Sequence, residues 1–176
     1  MGTPKSEPVE FTGRVSAIGE RLVVRLPAEA SAALPSRGQV AATVTVAGHT
    51  ADTVVEPDGR RGHWLPADGL AGLGEGDDAA IRVVPTKEWP EPVRPDDFAA
   101  ALAGAPDIAD LWEAITPMAR WEWVRWINAT KNPQTRQRRI EVAVDKLRNG
   151  KRRPCCFDLS SCTDPEVATS GKLIEA

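Results

Sequence analysis

Short runs of alternating hydrophobic and polar residues dominate the chain from Val9 to Glu88. In the clearest run, every second residue from Val40 to Val46 is valine or alanine, as a half-buried β-strand requires. Six such runs are candidate strands: Phe11–Val15, Leu22–Leu26, Gln39–Val46, Ala51–Val55, Gly62–Leu65 and Ala80–Val84. Turn sequences such as Pro57-Asp58-Gly59 separate these runs. Short strands without a long helix between them predict a small β-barrel or sandwich.

The hydrophobic period becomes helical after the segment Trp89–Pro95, whose three prolines exclude a helix interior or a central strand. Capping residues and first-turn prolines predict four helices, which begin near Asp96 or Asp97, Asp107, Thr116-Pro117 and Asn132-Pro133. The last of these helices has apolar residues along one face and is predicted to end at Gly150. A further short helix is predicted after Asp164-Pro165.

Strands followed by helices predict an α+β fold, with a small N-terminal β-barrel and a C-terminal helical region. The predicted domain organisation is a flexible tail at 1–8, a barrel at 9–88, a Pro-rich linker at 89–95, a helical region at 96–150 and a tail at 151–176.

Composition narrows the class of protein. The chain has 176 residues, a net charge of −3 and no apolar run of the roughly 18 residues that a membrane helix needs, so we expect no membrane insertion. Its start, MGTPKSEPVE, lacks the apolar region of a signal peptide. The three cysteines are too few for a disulfide scaffold and are typical of a reducing compartment. We therefore expect a cytoplasmic protein.

The small net charge conceals an uneven distribution. Residues 120–153 carry 11 basic and 3 acidic side chains, whereas residues 1–119 carry 10 basic and 18 acidic ones. Two interpretations follow. The basic helices can be neutralised internally by the acidic segment Glu88–Glu113, or they can present a basic face to an anionic partner such as an acidic protein or nucleic acid.

The start of the fourth predicted helix makes this question specific. Cations are unfavourable at the positive end of a helix dipole, yet several cluster here, which needs a compensating feature. The candidate anion- or partner-binding residues are Lys131, Thr135, Arg136, Arg138 and Arg139. Arg136 lies one turn before Ile140 and is predicted to be partly buried. Either it pairs with one of the acids at 88–113, or it joins free helix N–H groups in an anion site.

Catalytic and metal-binding constellations are weak. Cys155, Cys156 and Cys162 lie close together behind a basic run, but a zinc site normally takes four ligands. The histidines, His49 and His63, fall in the predicted barrel and form no recognisable triad with a nearby Ser or Cys. No catalytic residues and no cofactor are predicted.

A family resemblance adds to this picture. The stretch Trp126–Ile140 resembles the motif of the bacteriocin-protection, YdeI or OmpD-associated family in its Trp-Ile start, its Lys131, its Thr135-Arg136 pair and its Arg138-Arg139-Ile140 end. It departs from the family pattern at Thr130 and Gln134, where Ala and Glu are common. Further upstream, Gly76-Asp77, Trp89–Pro92 and Pro95–Phe98 look like the small domain of unknown function that often precedes this motif.

The resemblance implies a double-split β-barrel for the first half and an association with tolerance to bacteriocins or peptide antibiotics. We therefore consider three functions. The first is a non-enzymatic binding protein that uses its basic helical face on a protein or another anionic partner. The second is a nucleic-acid-binding protein that uses the same helix and Lys151–Arg153. The third, more remote, is a small-molecule enzyme.

Overall fold

The computed structural model describes residues 6–70, 72–154 and 158–175. Six antiparallel strands close into a barrel in the order β1-β2-β5-β4-β3-β6. Their bounds are β1 (Val9–Ile18), β2 (Arg21–Arg25), β3 (Val40–Val46), β4 (His49–Pro57), β5 (His63–Pro66) and β6 (Asp78–Pro85). Each of the six predicted strands overlaps one of these, and the predicted α+β fold with an N-terminal β-barrel is confirmed.

The barrel interior is filled by the apolar faces of its strands. On β3, the residues at alternate positions from Val40 to Val46 belong to one buried cluster, to which Val24 and Leu65 also contribute. The alternation read from the sequence therefore selects the inward face. A short helix, α1 (Ala28–Ala32), follows β2 and was not predicted, because five residues are too few to show a helical period.

The helical region contains four α-helices with a separate core. They are α2 (Asp96–Ala103), α3 (Ala109–Ala114), α4 (Pro117–Asn128) and α5 (Pro133–Arg148), and a 3-10 turn (Pro106–Ile108) precedes α3. The predicted caps are present at α4, where Thr116 accepts a hydrogen bond from the Ala119 N–H, and at α5, where Asn132 is the cap. The helix α5 ends just before Gly150, whose φ of 81° is the left-handed conformation that glycine adopts most easily.

The prediction of a short helix after Asp164-Pro165 is wrong. A hairpin of β7 (Ala168–Thr169) and β8 (Lys172–Leu173) lies there instead. Ser170 and Gly171, between the two strands, have φ values of 53° and 76°. Two consecutive residues with positive φ form a type I′ hairpin turn and cannot continue a right-handed helix.

The chain forms two compact units. The barrel unit comprises the chain up to Pro90 together with 158–162 and the segment from Glu166 onward, and the helical unit comprises Glu91–Phe157 and Thr163–Pro165. Among the described residues, no helix has the length and apolar character needed to cross a lipid bilayer.

Candidate functional site

Arg136 is held inside the helical unit by an acidic partner. Its Nε donates to Asp97 Oδ2 at 2.6 Å and its Nη2 donates to Asp97 Oδ1 at 3.0 Å. Its Nη1 donates to Asn128 Oδ1 at 2.9 Å and to the Ile127 carbonyl at 3.3 Å. The hydrogen bonds from Arg136 lower the pKa of Asp97 below its ordinary value. Of the two alternatives for Arg136, the structure therefore has the pair with an acid from 88–113.

Arg139 is held by the preceding helix. Its Nη1 donates to the Trp126 carbonyl at 2.7 Å, and its guanidinium carbon lies 5.3 Å from the centre of the Trp126 ring. This stacking and the bond at the open carbonyl end of α4 are both favourable for a cation. Burial lowers the pKa of Arg139. Arg136 and Arg139 thus fix the turn between α4 and α5.

The first turn of α5 has its backbone N–H groups occupied. Asn132 Oδ1 accepts from the N–H groups of Gln134 and Thr135, each at 3.0 Å. The Arg136 N–H donates to the Asn132 carbonyl at 2.9 Å, and Pro133 has no N–H to offer. An anion here would therefore have to bind side chains and could not use free backbone groups of this turn.

Lys131, Thr135 and Arg138 are exposed near the start of α5, and we call these three residues the basic corner. Lys131 precedes the cap of α5, and Thr135 and Arg138 are one helical turn apart. All three side chains are exposed, and within the described ranges neither cation forms an ion pair. These residues lie toward the positive end of the α5 dipole. The first turn of α5 contains no acidic residue that would offset this positive charge. The five predicted site residues thus fall into two groups, the exposed basic corner and the two arginines that are engaged by hydrogen bonds.

The remaining arginines of the basic segment are mostly neutralised. Three of them bind carboxylates through two nitrogens each: Arg120 with Glu91, Arg148 with Asp107 and Arg153 with Glu122. Such bidentate pairs are the strongest and most directional guanidinium contacts. Internal neutralisation is therefore the structural role of much of this charge. Outside the corner, three exposed cations show no ion pair in the described part of the chain: Lys146, Lys151 and Arg152.

The cysteines and the metal hypothesis can be placed only in part. Cys155 and Cys156 lie outside the described residues. Cys162 is buried in an apolar cluster with Trp64, Val167 and Leu173. Within 6–70, 72–154 and 158–175 there is no group of three or more side chains that could hold a metal ion.

One buried pair of polar residues in the barrel unit could not be predicted from the sequence. Ser31 Oγ lies 2.7 Å from His63 Nδ1, and His63 Nε2 lies 2.9 Å from the Gly38 carbonyl oxygen. Since a carbonyl only accepts, Nε2 carries the proton and Nδ1 accepts from the Ser31 hydroxyl. Both side chains are buried, with Ser31 2% exposed, so a substrate has no access to the hydroxyl. The pair ties α1 to β5, and no local signal could reveal a contact between residues so far apart in sequence.

A closed antiparallel barrel followed by a helical unit with this basic corner defines a two-domain α+β protein in which both parts match known family models. Residues 11–83 match the model of a domain of unknown function (DUF1905). Residues 91–150 match the model described as Bacteriocin-protection, YdeI or OmpD-Associated, and the resemblance read from the sequence is confirmed. No curated protein matches the chain.

Proposed function

We propose that this chain is a non-enzymatic binding protein of the bacteriocin-protection type and that its basic corner docks an acidic surface of a protein partner. The proposal rests on the contrast between the exposed residues of the basic corner and the two arginines of the same helix that are already engaged. Lys131 and Arg138 are exposed and form no ion pair in the described ranges, whereas Arg136 and Arg139 are fixed below them. The backbone that carries Lys131 and Arg138 is thereby fixed before binding, which lowers the entropic cost of association.

Five exposed cations of residues 120–153 form no ion pair in the described ranges, and only Lys131 and Arg138 lie near the start of α5, which favours an acidic protein over duplex nucleic acid. Proteins that bind DNA mainly through its backbone neutralise about six to ten phosphates, and they do so along an extended basic surface. The nucleic-acid hypothesis relied on Arg136, Arg139 and Arg153 as well, and each of these is engaged within the helical unit. Two exposed cations near one helix start suit a local acidic cluster on a protein.

Binding to two defined polyanions tests the proposal. Fluorescence anisotropy of labelled poly-L-glutamate and of a short duplex DNA, each over a salt series, compares the full chain with Arg138→Glu and Lys146→Glu. These two variants make the same charge change on exposed positions of α5. We expect Arg138→Glu to weaken poly-L-glutamate binding by about ten-fold or more and Lys146→Glu to change it less than about two-fold. Equal losses for the two variants, or no binding at low salt, would contradict the proposal.

The DNA arm separates the partner classes. Binding of duplex DNA with a logarithmic salt slope of about −5 or steeper would require five or more phosphate contacts and would favour the nucleic-acid function. The protective role is tested in bacteria that express the chain under a nisin challenge. We expect Arg138→Glu to reduce survival and Lys146→Glu to leave it unchanged.

A further inference from the structure

A buried histidine connects α1 to the barrel. His63 lies on β5 and is 1% exposed, and Ser31 lies in α1 and is 2% exposed. Nδ1 of the neutral ring accepts from the Ser31 hydroxyl, and Nε2 donates to the Gly38 carbonyl in the loop that follows α1. One imidazole ring thus holds both ends of the stretch 31–38 to β5.

The segment 27–38, which contains α1, covers part of the barrel core. Ala30 and Leu34 belong to the same buried apolar cluster as the inward residues of the strands. The helix α1 itself has only five residues and no side-chain cap at its start. A helix this short is not stable without its packing, and such segments open at a lower free energy than the strands on which they pack. The polar contacts with His63 therefore help to decide whether this segment stays closed.

A guanidinium group shares the hydroxyl that binds His63. Arg37 Nη1 lies 3.4 Å from Ser31 Oγ and His63 Nδ1 lies 2.7 Å from the same oxygen, so the two nitrogens are at most about 6 Å apart. Arg37 Nη2 also donates to the Ser31 and Leu34 carbonyls, which fixes the positive charge at this place. These contacts are all satisfied while His63 is neutral, because the hydroxyl then donates to the ring and accepts from the guanidinium.

The acidic group nearest in effect to His63 is fixed on its own turn. Asp58, between β4 and β5, favours the protonated ring, but its Oδ1 accepts from the N–H groups of Arg60 and Gly62 at 2.7 and 2.9 Å. Burial and Arg37 outweigh Asp58, and the pKa of His63 is lowered. The other charged side chains of the elements around His63 are exposed or bind elsewhere: Arg25, Glu29, Glu56, Arg60 and Arg61.

A proton on Nδ1 reverses the hydrogen bond to Ser31. The ring then donates to the hydroxyl, the proton of that hydroxyl loses its acceptor, and two cations face one buried oxygen. Opening of the segment relieves these costs, because it gives the hydroxyl, the guanidinium and the imidazolium to water. We propose that His63 is an acid-sensitive latch, and that its protonation releases the segment 27–38 and exposes the apolar barrel core on which Ala30 and Leu34 pack.

Hydrogen exchange of the full chain tests the latch. In the closed segment the Ala33 and Leu34 N–H groups donate to the Glu29 and Ser31 carbonyls, so their protection factors, corrected for intrinsic rates, report the opening. Between about pH 7.5 and 5.5 we expect these factors to fall by about two- to ten-fold, the upper value being the limit for one histidine. They should stay below those of the β3 amides, and dilute urea should not change the fall, since local opening exposes little surface.

Substitutions separate the latch from other effects of acid. His63→Gln should abolish the fall, whereas His49→Gln, which changes the exposed histidine of β4, should leave it as in the parent chain. Arg37→Gln covers the case in which His63→Gln does not fold. It should lower the protection at pH 7.5 and reduce the fall between the two pH values, because the opposing cation is gone. An unchanged fall in these two latch variants, or exchange of the α1 amides only together with those of β3, would overturn the proposal.

Discussion

Asp97 accepts two hydrogen bonds from Arg136 and thereby joins the start of α2 to the first turn of α5. The predicted cap of α2 was Asp96 or Asp97, but the cap residue is Pro95 and no side chain caps that end. Asp97 Oδ1 also accepts from the Phe98 N–H at 2.8 Å, so this carboxylate contacts both helices. The same ion pair removes Arg136 from the exposed cations of the basic segment. The contribution of Arg136 can therefore be measured as a change in the free energy of unfolding.

We expect Arg136→Ala to lower the free energy of unfolding by about 1–2 kcal/mol in urea denaturation. The side chains of Arg136 and Asp97 are 24% and 42% exposed, so solvent screening keeps the loss below the about 3–5 kcal/mol of a fully buried broken pair. Arg138→Ala is the matched control and should cost less than about 0.5 kcal/mol. Equal losses at the two positions would show that Arg136 is not supported by Asp97.

The pair between Arg153 and Glu122 is expected to be more sensitive, because the Glu122 side chain is only 4% exposed. Arg153→Ala leaves this carboxylate buried without its cation and should cost about 2–3 kcal/mol. Glu122→Gln in the same background should recover part of the loss, since the amide is neutral. Urea unfolding of the two variants beside Arg152→Ala, an exposed neighbour, measures the effect. No recovery in the double variant would contradict the role of the buried charge.

His63 predicts a loss of stability in mild acid. Burial lowers its pKa from the ordinary 6.5, and the nearby Arg37 opposes its protonation while Asp58 favours it. The unfolded chain therefore binds a proton more readily than the folded one below pH 6.5, so the stability is complete above that pH and is lost as pH falls toward the folded pKa.

The measurement is urea unfolding between about pH 7.5 and 5, where the slope contributed by one histidine is at most about 1.4 kcal/mol per pH unit. The pKa values of Glu91, Asp97 and Asp107 are lowered by arginine partners, so these carboxylates stay charged throughout this window. His63→Gln should remove most of the slope. A pH dependence that is unchanged in this variant would exclude His63 as its source.

The cap of α5 can be exchanged for an anion. Asn132→Ala removes the acceptor of the Gln134 and Thr135 N–H groups and should cost about 1 kcal/mol. The two freed N–H groups, at a helix start that carries exposed cations, then resemble an anion site. Thermal melts should show a larger stabilisation by sulfate in Asn132→Ala than in the parent chain. The same sulfate response in both would indicate that the N–H groups were not the binding element.

The sequence by itself determined the local elements, because their signals are local. Alternation every second residue defines β3, and the cap-and-proline pairs Thr116-Pro117 and Asn132-Pro133 begin α4 and α5. Gly150 marks the end of α5 because it adopts a backbone conformation that few other residues adopt easily. The clustering of cations around α5 was likewise visible in the sequence alone.

Only the tertiary structure decided which of these cations are engaged. The partner of Arg136 among the several acids of 88–113, the contact between Ser31 and His63, and the docking of Leu173 on the barrel all join residues far apart in the chain. Such contacts depend on how separate elements pack, and a periodic pattern within one element carries no information about the element that it will meet.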